Sequence, residues 1–354
     1  MSLKVGVHKL AMSSPADTSA LETLIASGAI DPGAVVAVIG KTEGNGGAND
    51  FTRALATMCF AQVLANSRGQ STIEVEADVA FVWSGGTEGV LSPHATVFTR
   101  ETSDAHAPEG GRLVLGLAMS QDIAPEGIGR MPHVAAVRAA AERALADAGI
   151  SDPADVHYVQ VKGPLLTPEK ISEAAARGAS VVTKDPNGSK VFARGAMALG
   201  VALALGEVTD DDVNDDMIAQ RLDLYTSVAS TSAGGELTKC EVLLFGNSAD
   251  AAGGFRIGHA IMSDAIDADA VRAAISDAGG EPFAVFAKAE ASPMLRNRRT
   301  TMMSDADINY ERHARAAVGG VIASVTGDPA IFLSGGTEHQ CAPGAAPIAV
   351  IAKV

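Results

Sequence analysis

The sequence predicts an α+β protein of three homologous βα units around a pseudo-threefold axis, with sheets central and helices outside. Two observations carry that prediction. Four landmarks recur three times in the same order along the 354 residues, and internal repeats of this kind stack so that each unit buries its apolar face against its neighbours. The composition is 47% hydrophobic but only 4% aromatic, with Ala, Gly and Val dominant, which suits small-residue helices packed closely on sheets.

The first landmark is a strand running into a Met-Ser pair: VGVHKLAMSS at Met12, LVLGLAMSQD at Met119 and Ser120, IGHAIMSDAI at Met262 and Ser263. A helical stretch with a glycine stop follows in each case, LETLIASGAI, AERALADAGI and VRAAISDAGG, the pattern expected where a helix ends in a left-handed residue. Next comes an apolar strand that ends on lysine. The three versions are DPGAVVAVIGK (Lys41), DPADVHYVQVK (Lys162) and EPFAVFAK (Lys288). Short β-branched runs entered from a proline turn read as strands, and a lysine at such an end belongs where a sheet meets a cleft. An arginine then opens an Ala-rich helix, in FTRALATM (Arg53), FARGAMAL (Arg194) and HARAAVGG (Arg315). A second apolar strand closes on a serine turn: AFVWSGGTE (Ser84), ASTSAGGEL (Ser232), IFLSGGTEH (Ser334). The turn carries Glu88, Glu236 and Glu338 at matching places.

Each unit therefore reads β-α-β-α-β, over residues 1–103, 111–249 and 254–354, with PEGG and DAAGG as glycine-rich joints. The middle unit is the longest. Its two inserts, around TKDPNGSK and EVTDDDVNDDM, read as solvated loops.

Core packing explains repeated apolar residues but not a repeated Lys, Arg and Ser, so the three sets are expected to converge on one site. A serine on a glycine turn projects its hydroxyl and leaves neighbouring N–H groups to hold an oxyanion. It needs a base to become a nucleophile. No histidine recurs in step with the repeat, which leaves a Ser-His-Asp triad without support; a desolvated lysine crowded by cations can serve instead. Two roles stay open for the arginines: a planar fork on a substrate edge, or pairing with Glu88, Glu236 or Glu338. His8, His94, His106, His133, His157, His259, His313 and His339 show no metal-ligand spacing and read as surface or structural.

A net charge of −15 repels phosphate backbones and argues against nucleic acid as a partner. Cys59, Cys240 and Cys341 are scattered and odd in number, neither a disulfide framework nor a zinc site. No leader-like segment or membrane-spanning run is read, so a cytoplasmic protein is expected.

The stretches GKTEGNGGANDFTR, SGGTEGVLSPH, VQVKGPLLTPEKI, MSDAIDA, VFAKAEASP and SGGTEHQ resemble the cyanuric acid hydrolase/barbiturase family of ring-opening cyclic amidohydrolases, whose architecture is the Toblerone fold. The resemblance spans the chain and is nearest to the cyanuric acid hydrolase branch. It implies hydrolytic ring opening of cyanuric acid to carboxybiuret, with Lys162 as base and Ser232 as nucleophile. The alternatives are a barbiturase acting on barbiturate and a non-catalytic small-ligand binder. Substrate edges would be held by Arg53 with Ser84 and Gly85, by Arg194 with Ser232 and Ala233, and by Arg315 with Ser334 and Gly335. Lys41 and Lys288 would complete two supporting dyads. The resemblance also implies a structural Mg²⁺ or Ca²⁺ at Glu290, Thr337, Gln340, Cys341, Ala342 and Ala345, no catalytic cofactor, a small cyclic imide substrate and a homotetramer.

Overall fold

A computed structural model describes residues 2–105 and 107–354; His106 lies outside the described residues. The first set of elements is β1 (Ser2–Ala11), α1 (Ser19–Ala26), β2 (Val35–Thr42), α2 (Phe51–Arg68), α3 (Thr72–Asp78), β3 (Ala80–Gly85) and β4 (His94–Ser103). The second is β5 (Arg112–Met119), α4 (Met131–Asp147), β6 (Val156–Pro164), α5 (Pro168–Ala176), α6 (Ser189–Leu205), β7 (Ala229–Gly234) and β8 (Glu241–Ser248). The third is β9 (Phe255–Met262), α7 (Ala268–Ala278), β10 (Glu281–Ala289), a small hairpin of β11 (Met294–Leu295) and β12 (Arg298–Arg299), α8 (Tyr310–Thr326), β13 (Phe332–Gly335) and β14 (Ala346–Lys353).

Each set forms a four-stranded sheet with one strand order: β1-β4-β2-β3, β5-β8-β6-β7 and β9-β14-β10-β13. The lysine strand pairs in parallel with the serine strand, and the fourth strand runs antiparallel between the first and second. That fourth strand corrects the β-α-β-α-β reading. It follows the serine turn and carries none of the repeated polar residues, so the landmarks end before it. The ladders even share an irregularity at one place, between Val35 and Ala37, Val156 and Tyr158, and Pro282 and Ala284.

Burial on both sheet faces explains the near-continuous apolar strands. In β14, Ala349 and Ile351 face a central core shared by all three sheets, while Ile348 and Val350 face the third unit's helices, the period of two expected of a strand. Phe98, Phe245 and Phe286, one from each sheet, meet at the centre with ring centroids 5.1–6.3 Å apart, and Tyr158 and Phe332 pack beside them. The helices cover the outer faces. The predicted glycine stops adopt left-handed backbone, φ +71° at Gly28, +68° at Gly149 and +74° at Gly279. Among the described residues no helix is long and apolar enough to cross a membrane.

Candidate active site

Parallel pairing sets the geometry. In each sheet the lysine and the serine are direct register partners: Lys41 with Ser84, Lys162 with Ser232, Lys288 with Ser334. Side chains opposite each other on neighbouring strands share a face, so every unit presents one ammonium beside one hydroxyl. All three lysines are at most 2% exposed, deeper than a strand end at a cleft would suggest.

The threefold arrangement is broken at the middle pair. Lys41 Nζ donates to Ser84 Oγ at 3.2 Å, and Lys288 Nζ to Ser334 Oγ at 3.0 Å. Lys162 Nζ instead donates to Trp83 O at 3.4 Å and lies 3.6 Å from Glu236. Ser232 Oγ is buried with no hydrogen-bond partner. Burial pushes Lys162 down to about 8, with Glu236 opposing and Arg53 reinforcing the shift. Burial likewise lowers Lys288, to about 7, and Lys41 well below the ordinary range. Acidity alone does not select Lys162; position does. It lines the shared cavity, together with Ser232, whereas Lys41 and Lys288 do not.

That cavity, about 40 Å³, is also lined by Arg53, Ser84, Gly85, Arg194, Ala233, Arg315, Ser334 and Gly335. At roughly 10–15 Å³ per water it holds about three waters, the scale of one small flat ring. It opens into a vestibule of about 490 Å³ with which it shares Gly46, Lys190, Arg194, Glu311 and Arg315. Larger clefts lie elsewhere on the protein, but this one collects the repeated polar set.

Of the two arginine roles the sequence left open, pairing with the repeated glutamates is the one seen. Each lines the cavity, and each forks its Nε and Nη2 onto the glutamate of the next unit. Arg53 bonds Glu236 at 3.1 and 3.4 Å, Arg194 bonds Glu338 at 2.6 and 2.7 Å, and Arg315 bonds Glu88 at 2.8 and 2.5 Å. The three forks form a closed ring of inter-unit clamps. Glu236 is held down to about 2: its burial pushes the other way, but Lys162 and Arg53 outweigh it. Arg194 sits a turn deeper in its helix than Arg53, at the sixth rather than the third residue of the element. Glycine is required beneath it: Gly336 has φ +80°, and a Cβ there would lie 2.3 Å from the Arg194 guanidinium carbon. At Gly85 a Cβ would meet Asp50 Oδ2 at 1.8 Å.

Two groups were missed in the sequence. Glu241 on β8 is the register partner of Lys162 on its other side; its Oε2 is buried and unpartnered, and burial raises it to about 8, with Lys162 opposing. The equivalent neighbour of Lys41 is His94, so the repeat itself hid Glu241. Lys190 lies in the insert read as a solvated loop, but it is the second residue of α6, lines the cavity and bonds Glu311 at 3.2 Å. The second insert is mostly exposed, as read.

The predicted metal ligands fall on the turn after Ser334. Glu290 accepts from Thr337 N at 2.9 Å and Thr337 Oγ1 at 2.6 Å, and it has no ion pair within 4.0 Å among the described residues. Burial raises its pKa above the ordinary carboxylate value, against the two Thr337 bonds. A half-buried carboxylate with no ion-paired cation is the hard oxygen donor that a dication such as Mg²⁺ or Ca²⁺ takes. Gln340 Oε1 already accepts from Thr231 N at 2.8 Å, Cys341 and Ala345 are buried, and Ala342 is exposed.

A family model described as an amidohydrolase ring-opening protein matches residues 6–353. A cyclic amide hydrolase of Azorhizobium caulinodans is 63% identical, covering 99% of this chain and 100% of that one. A cyanuric acid amidohydrolase of Bradyrhizobium diazoefficiens is 51% identical over 99% and 98%. A solved cyanuric acid hydrolase superposes with a TM-score of 0.97 at 48% identity, covering 100% of both chains.

Proposed function

The chain belongs to the ring-opening amidohydrolase family, and from that premise we propose that it hydrolyses cyanuric acid, opening the triazine ring to carboxybiuret by a Ser232 nucleophile with Lys162 as its base. The observation that carries this reading is the broken symmetry: the one serine hydroxyl of the three left free faces the cavity beside the one repeated lysine that lines it.

The ring of the substrate alternates three carbonyls with three N–H groups, and three arginines and three serine turns offer it matched edges. Lys162, neutral once burial has let its extra proton go to solvent, leaves the Trp83 carbonyl and takes the Ser232 proton on its free amine. The hydroxyl oxygen attacks a ring carbonyl. Turn amides hold the tetrahedral oxyanion, each donor worth ~2.7–4 kcal/mol. Gly86 and Gly336 amides are already given to Thr42 O and Ala289 O, which favours the residues directly after each serine, Ala233 in the middle turn. As the C–N bond breaks, Lys162 returns the proton to the leaving nitrogen. The open chain stays on Ser232 as a carbamate ester; Lys162 then activates water, which releases carboxybiuret and restores the hydroxyl. The Lys41–Ser84 and Lys288–Ser334 pairs stay hydrogen-bonded and hold two edges of the ring.

A hard dication, Mg²⁺ or Ca²⁺, would be held by Glu290, with Thr337, Gln340, Cys341, Ala342 and Ala345 giving mainly backbone oxygens. Its contribution would be to pin the Ser334 turn to β10. Oligomerisation as a homotetramer and a cytoplasmic location remain part of this reading.

The test is turnover of cyanuric acid and of barbiturate by the wild type, Ser232→Ala, Lys162→Ala and the double variant. Ring opening of cyanuric acid with the faster rate, lost in each single variant and no worse in the double, is the expected result. Faster opening of barbiturate, or none of either ring, would overturn the substrate or the enzyme assignment.

A further inference from the structure

The fold joins two histidines that lie 102 residues apart in sequence. His157, second residue of β6, and His259 of β9 come from different sheets, and their Nδ1 atoms are 2.9 Å apart. Asp277, in α7, places Oδ2 3.4 Å from His157 Nδ1 and 4.0 Å from His259 Nδ1. The carboxylate is fixed in place, since the same oxygen accepts from His259 N at 2.9 Å. Nothing in the proposed reaction uses these groups.

We propose that His157, His259 and Asp277 form a binding site for a first-row transition-metal dication of the zinc class, at the seam between the second and third units. Two imidazoles and one carboxylate are a donor set for Zn²⁺, Co²⁺ or Ni²⁺, not for Mg²⁺ or Ca²⁺. Tetrahedral zinc with ligands at ~2.0–2.1 Å needs its donor atoms roughly 3.3–3.4 Å apart, so the three observed spacings straddle that value and move by tenths of an ångström to meet it. The rings must be neutral to coordinate; burial lowers His157 and His259 below their ordinary range. Arg256 and Asp155 also face His157, with opposite charge. The side chains are 16%, 30% and 45% exposed, so an ion has access and open positions remain for water. The chelate would tie the middle sheet to the third.

The plain alternative is a hydrogen-bonded clasp that binds no ion. Titration of the chelator-treated full chain with Co²⁺ separates the two. The site predicts visible ligand-field absorption saturating at one ion per chain, bleached by Zn²⁺, with a melting temperature raised by Zn²⁺. His259→Ala and Asp277→Asn are expected to weaken binding by more than the about 10–100-fold typical of losing an outer-shell partner. His157→Gln keeps a neutral polar side chain should His259→Ala fail to fold. Glu142→Gln, an exposed carboxylate in neither site, is the control and is expected to bind as the wild type does. Absence of the Co²⁺ bands in wild type, or an unchanged titration in both His259→Ala and His157→Gln, overturns the proposal.

Discussion

Arg194→Lys tests whether the arginine ring serves the substrate or only the seams. The guanidinium makes three charged hydrogen bonds, two to Glu338 at 2.6 and 2.7 Å and one to Glu311 at 3.1 Å, with its side chain 5% exposed and that of Glu338 16%. A lysine keeps the charge but loses the planar fork, so one or two of those bonds are lost net. At ~1.5–3 kcal/mol each, the cost is roughly 2–5 kcal/mol. Unfolding entropy of about 2.1 cal/mol/K per residue makes 1 kcal/mol worth roughly 1.3 °C in a chain this long. The expected fall in Tm is therefore about 3–7 °C, measured by calorimetry. If the same guanidinium also polarises the ring, kcat/KM measured well below Tm falls about ten- to a hundredfold as well. Arg53→Lys and Arg315→Lys should behave alike, since both forks repeat. Lower Tm with unchanged kcat/KM in all three would reduce the arginines to clamps and refute the shared-site reasoning; unchanged Tm would refute the clamps.

A lysine base acts only when unprotonated, so kcat/KM is expected to rise through pH about 8, where burial places Lys162, and to level off above it; a flat pH–rate profile across that range contradicts the assignment. Glu241 is raised to about 8 by burial and is neutral below that pH, so Glu241→Gln should be nearly silent in acid. Above it the lost carboxylate no longer holds the Lys162 proton, and the rise in kcat/KM should shift to lower pH. Chelation or Glu290→Gln should lower Tm more than turnover, because an ion bound only by the folded state stabilises by mass action; turnover abolished at an unchanged Tm would make the ion catalytic.

The repeat made most of this legible, and it also set the limits. Lys41, Lys162 and Lys288, with Ser84, Ser232 and Ser334, could be aligned because each closes an apolar strand, and the parallel ladders put each pair in register. The partner of each arginine could not be read, because Arg53 meets the glutamate of the next unit, 183 residues away. Glu241 and Lys190 escaped because only the middle unit has them, and symmetry was the guide. The fourth strands escaped for the opposite reason: they repeat, but without polar landmarks. His157 and His259 meet only across the seam of two sheets, a contact no local spacing encodes.

Which serine carries the opened ring decides the mechanism. The measurement is rapid quenching of the wild type with cyanuric acid, digestion, and mass analysis of the three serine-turn peptides. The expected result is a transient adduct on the peptide holding Ser232, absent in Ser232→Ala, with Ser84 and Ser334 unmodified. An adduct on Ser84 or Ser334, or turnover surviving in Ser232→Ala, would contradict it.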